Sequence, residues 1–301
     1  MIYKKKALTY EDQLQQLKNR GLIINNDAKV LKYLQNISYY RLEGYWWPLQ
    51  ADKETHQFKP KSSFKQVIDL YNFDTELRML IFSVIEKIEI SLRTKLIYHM
   101  SHAYGPWWFQ DTTLFKDTPA LIKTLEKLRE EVERSKETYM KEHRRKYKDD
   151  KRYPPAWKTL ELTSFGGLSK LYGNIKNTIP VKDAIAQEFG AVNHTFIPSW
   201  LQAISQIRNI CAHHGRLWNK NLPASVKLLP NPPNSWIEEV PRQHEFKHLY
   251  VHLCIMKYLL NTIHPKNQFS QNLDTLLSNY SSVDSNALGF KANWQQEPLW
   301  Q

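Results

Sequence analysis

The segment Arg208-Asn209-Ile210-Cys211-Ala212-His213-His214 places an arginine, an amide and two histidines within two turns of a helix. Arginine carries a permanent charge on a planar fork that fits phosphate oxygens, and histidine moves protons near neutral pH. Together they suit phosphodiester chemistry on RNA without a metal. His213 would take the proton of a ribose 2′-hydroxyl as it attacks the adjacent phosphate. Arg208 would stabilise the developing phosphorane charge, and Asn209 would orient it or donate a hydrogen bond. The same residues also read as a cationic C-terminal helix cap, favourable by ~0.3–1 kcal/mol. On an ideal helix Asn209 and His213 share a face, whereas Arg208 and His213 lie about 140° apart. Arg208 must therefore reach round the helix, or the helix must loosen near Gly215. His213-His214 does not read as a zinc pair, because adjacent side chains point apart. Neither a metal nor another cofactor is expected.

The rest of the chain must position this segment. It has 301 residues with 42 Lys and Arg against 30 Asp and Glu, a formal charge of +12. That balance points to a polyanion partner, since neutralised phosphates release counterions; solubility charge explains it as well. Only 9 glycines and abundant Leu, Ile, Lys, Glu and Gln favour helices over a sheet. Cys211 and Cys254 form no CxxC and no ligand spacing, which excludes a disulfide framework and fits a reducing, cytoplasmic setting. No apolar run approaches the ~20 residues of a membrane span. The start Met1-Ile2-Tyr3-Lys4-Lys5-Lys6 has no apolar core of a signal peptide.

Hydrophobic spacing predicts helices over Glu11 to Arg20, stopped by Gly21, and over Asp27 to Ile37. Ser63 reads as the N-cap of a long helix from Phe64 to about His102, closed by Gly105-Pro106. From Leu121 to about Asp150 a charged helix is expected to project into solvent. Val181 to Phe189, Ser199 to His214 and Phe246 to Ile263 complete the helices, and the polar stretch from Pro265 onward reads as a loosely attached tail. The organisation expected is all-α. It comprises an N-terminal helical and aromatic segment (1–60), a helical domain (61–265) with a charged insertion near 118–153, and a C-terminal tail (266–301).

Arg208-Asn209-x-x-Ala212-His213-His214-x-Arg216-Leu217-Trp218-Asn219 resembles the signature of the bacterial Abi-like family of abortive-infection proteins (AbiD/AbiF type). Arg20-Gly21-Leu22 and Tyr39-Tyr40-Arg41-Leu42-x-Gly44-Tyr45-Trp46 are similar to its N-terminal part. Leu70-Tyr71-x-Phe73-Asp74-x-x-Leu77-Arg78 and Ile85-Glu86-x-x-Glu89-Ile90-x-Leu92-Arg93-Thr94 are similar to its central helix, and Ser164-Phe165-Gly166-Gly167-Leu168-Ser169 to the approach to the motif. The likeness spans about residues 8 to 220 in order. Such proteins resemble the HEPN ribonuclease superfamily, whose mark is Arg-x4–6-His.

That resemblance implies a helical bundle and a metal-independent endoribonuclease serving phage defence as a toxin. It also implies a composite site across a homodimer, since one chain carries one motif. An acidic residue of an earlier helix would position Arg208, with Glu86 and Glu89 as candidates; Glu89 and Arg93 are equally a local i,i+4 pair. His214 is a second candidate base, because Arg-x5-His also fits. The partners implied are RNA (a tRNA or a structured noncoding RNA), a second copy and a restraining antitoxin. A non-catalytic RNA-binding module remains the alternative.

Further RNA contacts are sought at Arg41, among Tyr39, Tyr40, Tyr45, Trp46 and Trp47, which could stack bases or fill a core. The run Lys141-Glu142-His143-Arg144-Arg145-Lys146-Tyr147-Lys148 is the electrostatic candidate, with a solvated helix face as its plain explanation.

Overall fold

The protein is seen in a computed structural model that describes residues 2, 6–223 and 226–301. Met1, Tyr3, Lys4 and Lys5 of the basic start lie outside the described residues. The chain is all-α: among the described residues only three isolated β-bridges occur. It divides into one unit of Met1–Arg78 with Leu273–Ser285 and another of Met79–Asn272 with Asn286–Gln301.

In the first unit, α1 (Tyr10–Asn19) opens with a capping box in which the Thr9 hydroxyl accepts from Asp12 N–H. It closes as its sequence predicts: Gly21 takes φ +86°, and Leu22 N–H reaches back to Leu17 O at 3.1 Å. Next come α2 (Asp27–Ile37) and α3 (Tyr39–Trp46). The aromatic stretch is thus a helix; Leu42, Tyr45 and Trp46 are buried, while Tyr40 and Trp47 are exposed. The long α4 (Phe64–Tyr104) begins at Ser63, whose hydroxyl and backbone exchange bonds with Gln66. Within its first part Asp74 accepts from the buried Tyr45 hydroxyl at 2.7 Å and pairs with Arg78.

The second unit takes the remainder of α4, which ends where Gly105 adopts φ +83°. The insertion is a helical hairpin rather than one projecting helix. Ser135 is extended, so the chain breaks between α5 (Thr118–Arg134) and α6 (Thr138–Lys146). Leu121 and Leu128 of α5 and Met140 of α6 are buried, which draws this charged segment onto the fold. After α7 (Ala156–Thr159), α8 (Phe165–Asn174) starts at Ser164, whose hydroxyl accepts from Gly167 N–H. Then follow α9 (Val181–Gln187), α10 (Ile197–Ala212) and α11 (Leu249–Ile263). Every residue of α11 from Leu249 to Leu260 is buried, so this helix is the axis of the core.

The stretch after Pro265 is not a loose tail. It forms α12 (Phe269–Asn279) and continues as turns. Phe269, Leu273, Leu288, Phe290, Trp294, Leu299 and Trp300 are all buried. Phe269, Leu273 and Leu276 keep helical spacing along α12, while the later large apolar residues are scattered among polar ones and turned inward. No helix among the described residues is long and apolar enough to cross a membrane.

Candidate functional site

Helix α10 is fixed before its functional end is reached. Ile197, Trp200, Leu201, Ile204, Ile207 and Cys211 recur at three- and four-residue steps and are buried. The Trp200 indole donates to Lys227 O at 2.6 Å, which pins the following segment to the helix. On another side α8 lies so close that a Cβ on Gly166 would stand 3.3 Å from Ser205 Oγ. The glycine there makes room for the neighbouring helix.

The helix ends at Ala212, and His213 is its C-cap (φ −93°, ψ 14°). His213 N–H still reaches Asn209 O at 3.0 Å. His214 N–H then bonds Cys211 O at 3.1 Å and Gly215 N–H bonds Ile210 O at 2.8 Å, the paired closure of a Schellman motif. The left-handed position of that closure is His214, with φ +53°, where glycine is usual. Gly215 is needed for a different reason: a Cβ there would meet Ile210 O at 3.3 Å. A side chain at 214 is thus kept despite a cost of about 1–2 kcal/mol in this conformation. Such placements cluster at functional sites.

Arg208 is half-buried and its guanidinium carbon lies 5.9 Å from the Phe82 ring centroid on α4. Its Nε is shut off from solvent and has no hydrogen-bond partner. Asn209, His213 and His214 are exposed. Among the described residues no hydrogen bond joins the side chains of Arg208, Asn209 and His213 to one another. The turn therefore presents a cation, an amide and the His213 imidazole that are not spent on one another.

The acidic candidates lie elsewhere. Glu89 pairs with Arg93 at 2.8 Å, and Arg93 donates to Leu160 O and Thr163 O. The local pair is the one formed, and it ties α4 to the turn preceding α8. Glu86 is exposed, and neither Glu86 nor Glu89 forms an ion pair with Arg208 among the described residues. What the sequence missed is Phe82. The signal was present: with Met79 and Ile90 it is one of the large apolar residues of α4 lying off the stripe of Phe73, Leu77, Ile81, Val84, Ile85 and Ile88.

Of the remaining candidates, Arg41 is exposed on α3 beside the exposed Tyr40. Arg144 is spent on structure, donating to Val132 O and Ser135 O at 2.9 and 2.7 Å to close the hairpin. Arg145, Lys146 and Lys148 are exposed.

Neither the curated proteins nor the solved structures contain a match to this chain. A family model described as Abi-like protein matches residues 32–219, more than half of the chain and inclusive of the whole α10 turn. The chain belongs to the Abi-like protein family.

Proposed function

We propose that the protein is a metal-independent endoribonuclease of the HEPN kind that serves abortive infection, with Arg208, Asn209 and His213 as its catalytic group. The observation that carries this reading is the half-buried Arg208 guanidinium, oriented by Phe82 and in no ion pair among the described residues, beside exposed His213 and a left-handed His214. A phosphate oxygen would pair with the part of that guanidinium left open to solvent. His213 accepts the 2′-hydroxyl proton as the 2′-oxygen bonds to phosphorus. The bond to the 5′-oxygen breaks, and that oxygen takes a proton from an imidazolium. Products are a 2′,3′-cyclic phosphate and a 5′-hydroxyl.

One copy offers one motif, so the site is read as shared between two copies. Support comes from α4, where Met79, Phe82 and Ile90 are large, apolar and exposed on the side that adjoins Arg208 through Phe82. Burial of such a patch against a second copy would remove it from water. Restraint by an antitoxin belongs to the same reading.

The test is end-group analysis of RNA incubated with the protein in EDTA. The proposal expects cyclic phosphate and 5′-hydroxyl ends, and 5′-phosphate ends would overturn it. The competing reading is a module that binds a structured noncoding RNA without cutting it, favoured by the exposed Arg145, Lys146 and Lys148. It predicts salt-dependent binding with no new ends.

A further inference from the structure

A pocket of about 280 Å³ opens between α4, α11 and the start of α12. Its polar lining includes Lys87, His264, Lys266 and Asn272, and no carboxylate contributes to it. Lys87, His264 and Lys266 are exposed, so their charged or polar ends are available to a ligand.

The ground beneath the pocket is cationic as well. Lys257 of α11 is 4% exposed, and its ammonium donates to a single group, Asn267 Oδ1, at 3.1 Å. The same oxygen accepts the Phe269 N–H, the first of α12, at 3.2 Å. One neutral amide oxygen thus serves both a buried ammonium and the positive end of an 11-residue helix. A buried charge without a counter-charge is costly. Burial alone pushes the Lys257 ammonium below its ordinary pKa, with no nearby carboxylate opposing it. Three basic groups thus line the pocket, a fourth lies behind Asn267 beside the helix start, and no carboxylate lines it among the described residues.

We infer that this pocket is a phosphate-binding subsite, taking one phosphoryl group through Lys87, Lys266, His264 and the Asn272 amide. The chemistry is that of a phosphate mono- or diester, borne by an RNA strand or by a free nucleotide. Its volume lies at the small end of ligand pockets, which suits a phosphate with part of its sugar. None of these residues belongs to the Arg208–His213 turn, so the subsite stands whether or not that turn cuts RNA.

Titration calorimetry at constant ionic strength tests it, using inorganic phosphate, cytidine 5′-monophosphate and a 2′-O-methyl RNA oligonucleotide against wild type and Lys87→Ala/Lys266→Ala. Both substitutions are on exposed side chains, and circular dichroism checks that the fold is kept. Binding of phosphate and the mononucleotide that weakens about tenfold in the double variant establishes a subsite for free phosphates. Binding of the oligonucleotide alone, weakened about tenfold likewise, assigns the pocket to an RNA strand. If phosphate and chloride behave alike and the oligonucleotide binds equally to both proteins, the subsite does not exist.

Discussion

Phe82 of α4 carries the Arg208 guanidinium over its ring at 5.9 Å, and this contact links the motif helix to the exposed face of α4. An aromatic face attracts a cation without neutralising it, so the guanidinium is oriented and still able to receive a phosphate. A carboxylate in the same place would compete with that phosphate.

Phe82→Ala should therefore act on activity more than on stability. Phe82 is 40% exposed, and a cation–π contact at such a position is worth about 0.5–1 kcal/mol. Cleavage should fall by about two- to fivefold, with an unchanged melting temperature. A loss of many degrees with full residual activity would show that Phe82 only packs.

His214→Gly separates the conformational cost from the use of the side chain. Glycine adopts φ +53° freely, so the variant should melt higher by roughly 1–3 °C in a calorimetric scan. RNA cleavage should nevertheless decline. A variant that is both more stable and fully active would remove His214 from the site.

In the N-terminal unit, Asp74 is buried between the Tyr45 hydroxyl and Arg78. The Tyr45 phenol is pushed well up by burial and by the adjoining carboxylate. Asp74→Asn leaves Arg78 buried without its counter-charge, a loss of about 3–5 kcal/mol. Urea denaturation should show that loss, and a change below about 1 kcal/mol would mean that Asp74 carries little of the fold.

Lys182 is fully buried, donating to Ile175 O at 2.7 Å and to Asn177 Oδ1 at 3.1 Å. Burial, with Lys116 nearby, lowers its pKa from 10.5 to about 7. Between those values the unfolded chain binds a proton that the folded chain has released. Stability thus rises with pH across that window, by up to about 1.4 kcal/mol per unit, and the penalty is full below it. Lys182→Met should flatten the rise, and parallel pH profiles for the two proteins would refute the assignment.

Much of this arrangement is legible in the sequence. Helix α2 runs from Asp27 to Ile37 as its spacing dictates, and Gly21, Gly105 and Gly190 punctuate the chain with positive φ. The motif turn at the end of α10 is likewise foreseen. The Glu89–Arg93 pair is open in the sequence as a local alternative and is the one formed. Two things are not legible, each for a reason of context. Arg144 reads as a free cation until the backbone of Val132 and Ser135 folds back to it. In the C-terminal stretch Phe269, Leu273 and Leu276 do keep a helical period, but beyond α12 Phe290, Trp294 and Trp300 bury large rings from irregular turns that no period announces. Local periodicity is blind to partners that arrive from distant sequence.

The proposed role of Arg208 and His213 is RNA cleavage. Its most direct test is the single-turnover cleavage rate in EDTA for wild type, Arg208→Ala and His213→Ala, with RNA affinity measured alongside. Wild type should cut, and each variant should lose cleavage by about a hundredfold or more while His213→Ala still binds RNA. Equal rates in all three proteins, or no cleavage by wild type on any RNA it binds, would contradict it.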